Sequence, residues 1–433
     1  MLAIALWAGL DASRYSIAYG TAITGTVRLM MLTAIEHAVA LYDPYSPIVA
    51  ITGPPDQDAI RVGYRALDDL LPPGRHVTLD DGHVLTLVAA TNEVIRETPF
   101  EFAYQPWSEP RLAELRRRYD LPNVVAGATN DFEELVMLRN WNRSQFRRKD
   151  YQPLSAHFDA LEILTRNHRN DQDEPFSAAK HFDPCVLFPM LYIQLVVSMG
   201  HQARLMSVDH GIVEVWSNHY RKWVVMDAEL NHHFERDGVP LGFTELTSEA
   251  QSPHPSRVRL VVGPQWSGDL STTIVHLRVP QLDVQSVLPW FDRAADIAAM
   301  RNDWLTNRYF RGHPRRSERN SLILLDSRHS RLEYAVRARP TTWNEQHFNW
   351  TLNQAQVMVQ PPRSRRLTVA FATRTPNFDH FEIVLNGSVH TVRRSTLSWE
   401  LAEGENTLSV APVNQAGVKG ISSFVRLHLS ASP

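Results

Sequence analysis

The chain has 433 residues and a single cysteine, Cys185, which stands where a polar stretch gives way to a long apolar run. One cysteine excludes an intrachain disulfide framework. Asp183 is suited to cap a helix and Pro184 to occupy its first position. The pattern therefore predicts a helix that starts at Pro184 and carries Cys185 in its first turn. Pro189 is compatible with this start, because a proline near the beginning of a helix removes few backbone hydrogen bonds.

The first turn of a helix favours a reactive cysteine. Backbone N–H groups without intrahelical partners point toward that turn, and their partial positive charge stabilises a thiolate relative to a thiol. Cys185 is therefore a candidate nucleophile. The alternative is an inert, buried cysteine that acts as a small hydrophobic residue.

A candidate base and acid flank a predicted β-hairpin downstream. Strands at residues 211–216 and 221–227 alternate around a turn centred between Asn218 and His219. Such a turn pairs residues whose numbers sum to 437, and His210 and Asp227 have this sum. The two side chains would face one another with Cβ atoms roughly 4.5–5.5 Å apart. A carboxylate at that distance can orient an imidazole, which then accepts or stabilises the proton of a cysteine nucleophile. Asp227 as the cap of the following segment is the simpler alternative.

The same residues resemble a known family over roughly residues 130–250. The chain is similar to the transglutaminase-like superfamily in the run from Cys185 to Arg204, which includes the glycine–x–x–alanine–arginine step, and in the runs 210–216 and 222–227. This resemblance implies a papain-like core with Cys185 as nucleophile, His210 as base and Asp227 as orienting acid. It does not specify the substrate, since the superfamily includes cross-linking enzymes, peptidases, peptide N-glycanases and inactive binding relatives. Pro189 inside the helix and the short distance in sequence from cysteine to histidine depart from the family pattern.

An oxyanion hole requires two donors directed at the tetrahedral oxygen. The backbone N–H of Cys185 is one candidate, and Trp141 and Gln145 on an upstream helix are candidates for the other. Trp141 is favoured by similarity to animal transglutaminases, which use an upstream tryptophan in this way. It also has helical spacing with Leu135 and Leu138, so a purely structural role in the core is the alternative.

The predicted fold is α+β: a papain-like transglutaminase core, an N-terminal β-rich module and C-terminal β-sandwich regions. Helices are predicted at residues 110–118, 131–146 and 158–166, and strands at 76–79, 84–90 and 257–262. Alternating runs and turn signals after residue 366 favour an Ig- or fibronectin-like sandwich. The expected organisation is an apolar helical segment (1–45), a small β-rich module (46–108), the transglutaminase-like core (109–250), a mixed β region (251–362) and an Ig-like sandwich (363–433).

Aromatic and amide side chains suggest a surface for substrate. Residues 301–320 combine aromatic rings with arginines and amides, a mixture typical of sugar- or peptide-binding surfaces and also of polar loops with buried aromatic anchors. The substrate-binding candidates are Trp216, Trp304, Asn307 and Tyr309.

Composition excludes some partners. Lysine plus arginine is 44 and aspartate plus glutamate 47, so the formal charge of −3 provides no bulk attraction for nucleic acid or anionic membranes. The first ten residues resemble the apolar part of a secretory signal without its basic flank, and they are too short to span a bilayer. Together with the sandwich they favour an extracytoplasmic location. No metal or other cofactor is expected.

The sequence thus predicts a cysteine-dependent amide hydrolase or acyltransferase that acts on a peptide or glycopeptide through a Cys185 thioester. The alternative is a catalytically degenerate protein that binds cell-surface polysaccharide or peptide.

Overall fold

A computed structural model describes residues 52–61, 63–98, 102–145, 159–170, 184–207, 211–252, 257–264, 283–292, 296–300, 302, 305, 321–325, 341–342 and 344–431. The predicted helical segment at 1–45 lies outside these residues. All described residues belong to one compact unit. None of the helices within these ranges has the length and apolar character that a membrane crossing requires.

Helices and strands are both abundant, and the fold is α+β as predicted. The described α-helices are α1 (Leu67–Leu70), α2 (Pro110–Arg118), α3 (Leu121–Val125), α4 (Asp131–Ser144), α5 (Ala160–Asn170), α6 (Pro184–Ser198), α7 (Phe243–Gln251), α8 (Val284–Val287) and α9 (Pro289–Asp292). Short 3-10 helices lie at Gln57–Arg61 and Glu345–Phe348.

The strands are distributed over the whole described chain. They are β1 (Arg65–Ala66), β2 (His76–Thr78), β3 (Val84–Thr91), β4 (Ala203–Ser207), β5 (Gly211–Ser217), β6 (Lys222–Met226), β7 (His232–Arg236), β8 (Val239–Pro240), β9 (Val258–Val262), β10 (Asp296–Met300), β11 (Ser321–Leu325), β12 (Thr341–Thr342), β13 (Ala355–Val359), β14 (Arg366–Thr373), β15 (Phe378–Leu385), β16 (Ser388–Val392), β17 (Thr396–Glu400), β18 (Gly404–Asn414) and β19 (Ser423–Ser430).

Helix α6 is the centre of the α+β region. It is apolar on every side, and its residues 187–197 are all buried. A helix without a polar face has to be covered all round. Helices α2, α4 and α5 cover one side, while strands β4 and β5 of a six-stranded sheet with the order β12-β11-β10-β4-β5-β6 cover the other. The Tyr192 hydroxyl donates to the Leu135 carbonyl at 2.8 Å and so ties α6 to α4.

The C-terminal region is a β-sandwich. A four-stranded sheet with the order β1-β13-β14-β17 faces a six-stranded sheet with the order β16-β15-β18-β19-β3-β2. Inward-facing side chains from both sheets form one apolar cluster, which includes Trp399, Phe371 and Phe381. Alternation of apolar residues along each strand accounts for this core, because successive side chains point to opposite faces.

The predicted boundaries at residues 108 and 362 differ from the structure. Strand β3, assigned to a separate N-terminal module, pairs with β19 in the sandwich, and β1 pairs with β13. Leu85 and Leu87 of β3 are buried in the sandwich core. Period-two alternation marks a strand and its inward face, but it carries no information about which distant strand lies beside it.

The sandwich also contacts the end of helix α6. Gly200 has a left-handed φ of +86°, and its carbonyl accepts a hydrogen bond from Asn414 Nδ2 at 2.8 Å. A Cβ added at Gly200 would lie 2.3 Å from the Cβ of Ala416. Glycine is required here both for the backbone conformation and for the close approach of the loop after β18.

We expect Gly200→Ala to destabilise the protein by roughly 2–4 kcal/mol, because left-handed strain adds to a steric clash. Gly387→Ala is the matched control. Its φ is +85°, but a Cβ there has no neighbour within 4 Å, so only about 1 kcal/mol of strain is expected. Urea unfolding of both variants measures the difference. Equal losses of stability would show that the contact between the helix end and the sandwich contributes nothing.

Candidate functional site

The helix that carries Cys185 begins where the sequence predicts. Helix α6 starts at Pro184, so Cys185 lies in its first turn. Pro189 has no N–H, and the carbonyl of Cys185 therefore lacks its usual donor from four residues further along the helix. The neighbouring helix α4 contacts the same region, since buried Asn142 donates from Nδ2 to the Phe188 carbonyl at 3.2 Å.

The hairpin forms, but its predicted register is wrong. Val213 pairs with Met226, and the other pairs of β5 and β6 have the same residue sum of 439 instead of 437. Extended to Asp227, this register reaches Ile212 and not His210. His210 itself lies outside the described residues, immediately before the first residue of β5.

A distant residue explains the difference in register. The connection between β5 and β6 comprises residues 218–221, whereas the prediction placed it at 217–220. The carboxylate of Asp131, at the start of α4, accepts hydrogen bonds from the backbone N–H groups of Asn218 and His219. Arg221 closes the loop with a left-handed φ of +54°. Helix α4 thus determines the loop, which the hairpin sequence alone cannot indicate.

Asp227 follows directly on β6 and is almost fully buried, with 1% of its surface exposed. It begins a tight turn in which its backbone exchanges hydrogen bonds with His232. Its Oδ1 accepts from the Leu230 N–H at 2.7 Å. The predicted capping role of Asp227 is therefore present in the structure, and it accounts for one of the two carboxylate oxygens.

A buried arginine supports this turn. Arg139 of α4 is 1% exposed, and its Nε donates to Asn231 Oδ1 at 3.0 Å. Its Nη1 lies 2.9 Å from His233 Nδ1 and 3.3 Å from the sulfur of Met226, the residue before Asp227. Burial lowers the pKa of Arg139 to about 10, while Tyr192 and Asp227 oppose the fall. The guanidinium thus stays charged at neutral pH.

Arg139 also determines which ring nitrogen of His233 carries the proton. Because an arginine can only donate, Nδ1 of His233 is the acceptor and Nε2 carries the proton. Nε2 lies 3.1 Å from Glu235 Oε1, and Glu235 is in turn paired with Arg259 at the surface. Burial, assisted by the charge of Arg139, lowers the pKa of His233 to about 4. This chain of contacts is not predictable from the sequence, since Arg139 is far from His233 and Glu235 in sequence and the residues match no motif.

The two side chains proposed for the oxyanion hole have other contacts. Trp141 is half-buried and packs edge-on against Tyr119, with ring centroids 5.8 Å apart. Gln145 donates from Nε2 to the Trp141 carbonyl at 3.3 Å and to the Ser144 hydroxyl at 3.0 Å, at the end of its own helix. Asn142, which was not predicted as a site residue, reaches helix α6 by its hydrogen bond to the Phe188 carbonyl.

Arg204, the arginine of the glycine–x–x–alanine–arginine step, is buried in the core. It and Glu214 are each 1% exposed, and Nε of Arg204 lies 2.9 Å from Glu214 Oε2. The guanidinium lies 4.1 Å from the Trp223 ring centroid and 4.4 Å from that of Trp350. The other oxygen of Glu214 accepts from the Phe243 N–H at 2.7 Å, at the start of α7.

Trp216 does not form a substrate surface. It is 2% exposed, packs against Trp223 with ring centroids 5.8 Å apart, and donates from Nε1 to Asn218 Oδ1. Both faces of β5 are covered by the surrounding core, so the Trp216 side chain is not available to contact a substrate in this structure. Trp304, Asn307 and Tyr309 lie outside the described residues. Within the described ranges, no group of three or more histidine, cysteine, aspartate or glutamate side chains is arranged to hold a metal ion.

Comparison with known proteins gave no match to a protein-family model, a curated protein or a solved structure. The resemblance to the transglutaminase-like superfamily therefore depends on the motif residues alone.

The low pKa of His233 predicts a pH-dependent stability. The folded protein keeps this imidazole neutral down to about pH 4, whereas the unfolded chain takes up its proton near pH 6.5. The unfolded state binds more protons between these values, so stability falls as the pH is lowered through that window. The loss from His233 is on the order of 3 kcal/mol. Urea unfolding at several pH values should show that His233→Gln removes this part of the slope.

His219, which is exposed, provides the control for this experiment. His219→Gln should leave the pH dependence unchanged. An unaltered slope in His233→Gln would exclude His233 as the buried group responsible.

Proposed function

We propose that the protein is a cysteine-dependent amide hydrolase or acyltransferase of the transglutaminase-like kind, acting on a peptide or glycopeptide. The observation that carries the proposal is the position of Cys185 in the first turn of α6. That helix packs on the antiparallel strands β4 and β5, and β5 begins immediately after His210 while the neighbouring β6 ends immediately before Asp227. This chain order of nucleophile, base and acid is the one that the resemblance to the transglutaminase-like superfamily implies.

In the proposed reaction, the Cys185 thiolate attacks the carbonyl carbon of an amide and forms a tetrahedral oxyanion. The oxyanion collapses as the carbon–nitrogen bond breaks, and the His210 imidazolium gives its proton to the departing amine. The product is a thioester at Cys185. His210 then takes a proton from water or from an acceptor amine, which attacks the thioester and releases the thiolate. Hydrolysis and transamidation differ only in this acceptor.

The observed register determines how Asp227 would have to contact His210 in the proposed site. With Asp227 opposite Ile212, the proposal requires a diagonal contact between Asp227 and His210. Diagonal neighbours on adjacent strands have separations of about 7–8 Å, which long side chains can bridge. Arg139 supports this role, because its guanidinium lies beneath the turn and its positive charge favours the ionised form of Asp227.

The binding-protein alternative has no comparable support among the described residues. It depended on tryptophan-rich clefts, and four of the described tryptophans are buried, namely Trp216, Trp223, Trp350 and Trp399. Their rings stabilise the core and are covered by other side chains, so they offer no surface to a polymer. Trp107 and Trp141 are half-buried and lie on or beside helices, not in a shared cleft of tryptophans.

The experiment that tests the proposal is alkylation of the native protein with iodoacetamide between pH 5 and pH 9. The thiolate is the reactive form, so an activated Cys185 should be labelled well below the free-cysteine pKa of about 8.5. Mass spectrometry identifies the labelled residue, and Cys185→Ser is the blank. His210→Ala should raise the apparent pKa of the thiol, because the imidazolium partner is lost.

A protein that is labelled only after denaturation would contradict the proposal. An apparent thiol pKa near 8.5 in the native protein, unchanged in His210→Ala, would do so as well.

A further inference from the structure

Strand β16 is an edge of the six-stranded sheet of the sandwich. It pairs with β15 on one side, and no strand within the described ranges pairs with its other side. The strand contains no aspartate, glutamate, lysine, arginine or proline, and most of its residues are exposed. Val389, with 67% of its surface exposed, is among the most exposed large hydrophobic residues. An edge that lacks charge, proline and a bulge can accept another strand.

The turn before β16 determines which of its backbone groups face outward. Asn386 and Gly387 form a two-residue loop with left-handed φ values of +48° and +85°. Such a loop makes the flanking residues Leu385 and Ser388 a hydrogen-bonded pair. The N–H of Asn386 agrees with this, because it donates to Thr407 of β18, on the opposite side of β15 from β16. Alternate residues of β16, counted from Ser388, therefore bond to β15.

Val389 and Thr391 are the residues left between these bonded positions. Their N–H and C=O groups point away from β15, because hydrogen-bonded and non-bonded pairs alternate along antiparallel strands. These groups have no hydrogen-bond partner within the described part of the chain. The edge thus offers two main-chain donors and two main-chain acceptors, which is what strand addition uses.

A second copy of the chain fits this edge in one register. Antiparallel pairing matches outward-facing residues with outward-facing residues. Val389 then lies opposite Thr391 of the second copy, and the two-fold axis passes beside His390. Each of the two symmetric pairs exchanges both of its N–H···O bonds. A shift of the register in either direction keeps only one outward-facing pair within the strands.

The charges beside β16 favour this partner and this direction. Arg393 and Arg394 directly follow the strand. In the antiparallel register they lie beside Gly387 and Asn386 of the second copy, so the arginines of the two copies are at opposite ends, roughly 20 Å apart. Arg393 is also paired with Asp379 of its own chain at 3.3 Å. A parallel partner would instead bring the arginines of both copies together.

We propose that β16 is a homodimerisation edge, at which a second copy of the chain adds in antiparallel orientation and extends the sheet across a two-fold axis beside His390. A five-residue edge is small, so the dimer belongs to the weak class that forms at high protein concentration. The pairing is independent of the chemistry proposed for Cys185.

Disulfide trapping tests the register. In a Cys185→Ser background, His390→Cys places two thiols opposite each other in a non-hydrogen-bonded pair, whose Cα atoms are about 4.5 Å apart and within reach of a disulfide. Ser388→Cys is the matched control. It is also exposed, but its two copies are roughly 13 Å apart along the strands. Oxidised glutathione should cross-link His390→Cys at least about tenfold faster than Ser388→Cys.

Sedimentation equilibrium of the full-length protein, under reducing conditions, measures dimerisation without a cross-link. The average mass of the unmodified protein should rise from that of a monomer toward that of a dimer as the concentration increases. Thr391→Pro removes an outward N–H and leaves the ladder with β15 intact. It should weaken dimerisation at least about tenfold, because the lost hydrogen bond occurs twice by symmetry.

Val389→Lys provides a second edge variant and replaces Thr391→Pro if that variant does not fold. A lysine on an edge strand opposes pairing with another strand. Val94→Lys is the matched control, because Val94 is also 67% exposed but lies outside the strands. It should dimerise like the unmodified protein, while circular dichroism reports whether each variant is folded.

A mass that rises with concentration in the unmodified protein and in Val94→Lys, but not in the edge variants, supports the proposal. A monomer at every concentration overturns it and leaves the edge to a strand of another protein. A dimer that persists in both edge variants also overturns it. Equal cross-linking of His390→Cys and Ser388→Cys overturns the register.

Discussion

The buried ion pair of Arg204 and Glu214 is the interaction on which the α+β region most depends. It joins β4 to β5, receives the first N–H of α7 on Glu214, and donates to the Phe348 carbonyl at 2.7 Å. Trp223 and Trp350 cover the guanidinium, and both belong to the large apolar cluster of the region. Removal of one partner from a buried pair leaves an uncompensated charge, which typically costs 3–5 kcal/mol. The pair therefore holds β4 and β5 together and joins them to Trp223 of β6, to the start of α7 and to residues 348–350.

Contacts from helix α4 also hold this part of the fold in place. Asp131 at its beginning holds the loop between β5 and β6, Arg139 in its middle supports the Asp227 turn, and Asn142 near its end contacts α6. One helix thus connects the loop of the hairpin, the turn that begins at Asp227 and the helix that carries Cys185. Rigid elements of this kind are suited to hold catalytic groups, since reactivity is sensitive to displacements of about 1 Å.

Local features were predictable from the sequence, and long-range ones were not. Helical spacing placed α2 at its observed residues, and the Asp–Pro signal located the start of α6, because capping and periodicity depend only on neighbouring residues. The register of the hairpin was missed by two residues because Asp131, far away in sequence, shapes its loop. The pairing of β3 with β19 was missed because alternation does not identify a partner strand. In the site, Arg139 and Asn142 read as ordinary helix residues, and only the packing of α4 shows what they contact.

The central claim is that the Cys185 thiol and the His210 imidazole are close enough to influence each other's ionisation. NMR titration of the protein with ¹⁵N-labelled histidine measures this directly, with the His210 signal assigned by its loss in His210→Gln. Adjacent titrating groups shift each other's apparent pKa values. Replacement of the thiol in Cys185→Ala should therefore lower the imidazole pKa of His210 by about one unit or more, because the thiolate that stabilises the imidazolium is lost. Superimposable titration curves for His210 in the two proteins would contradict the account.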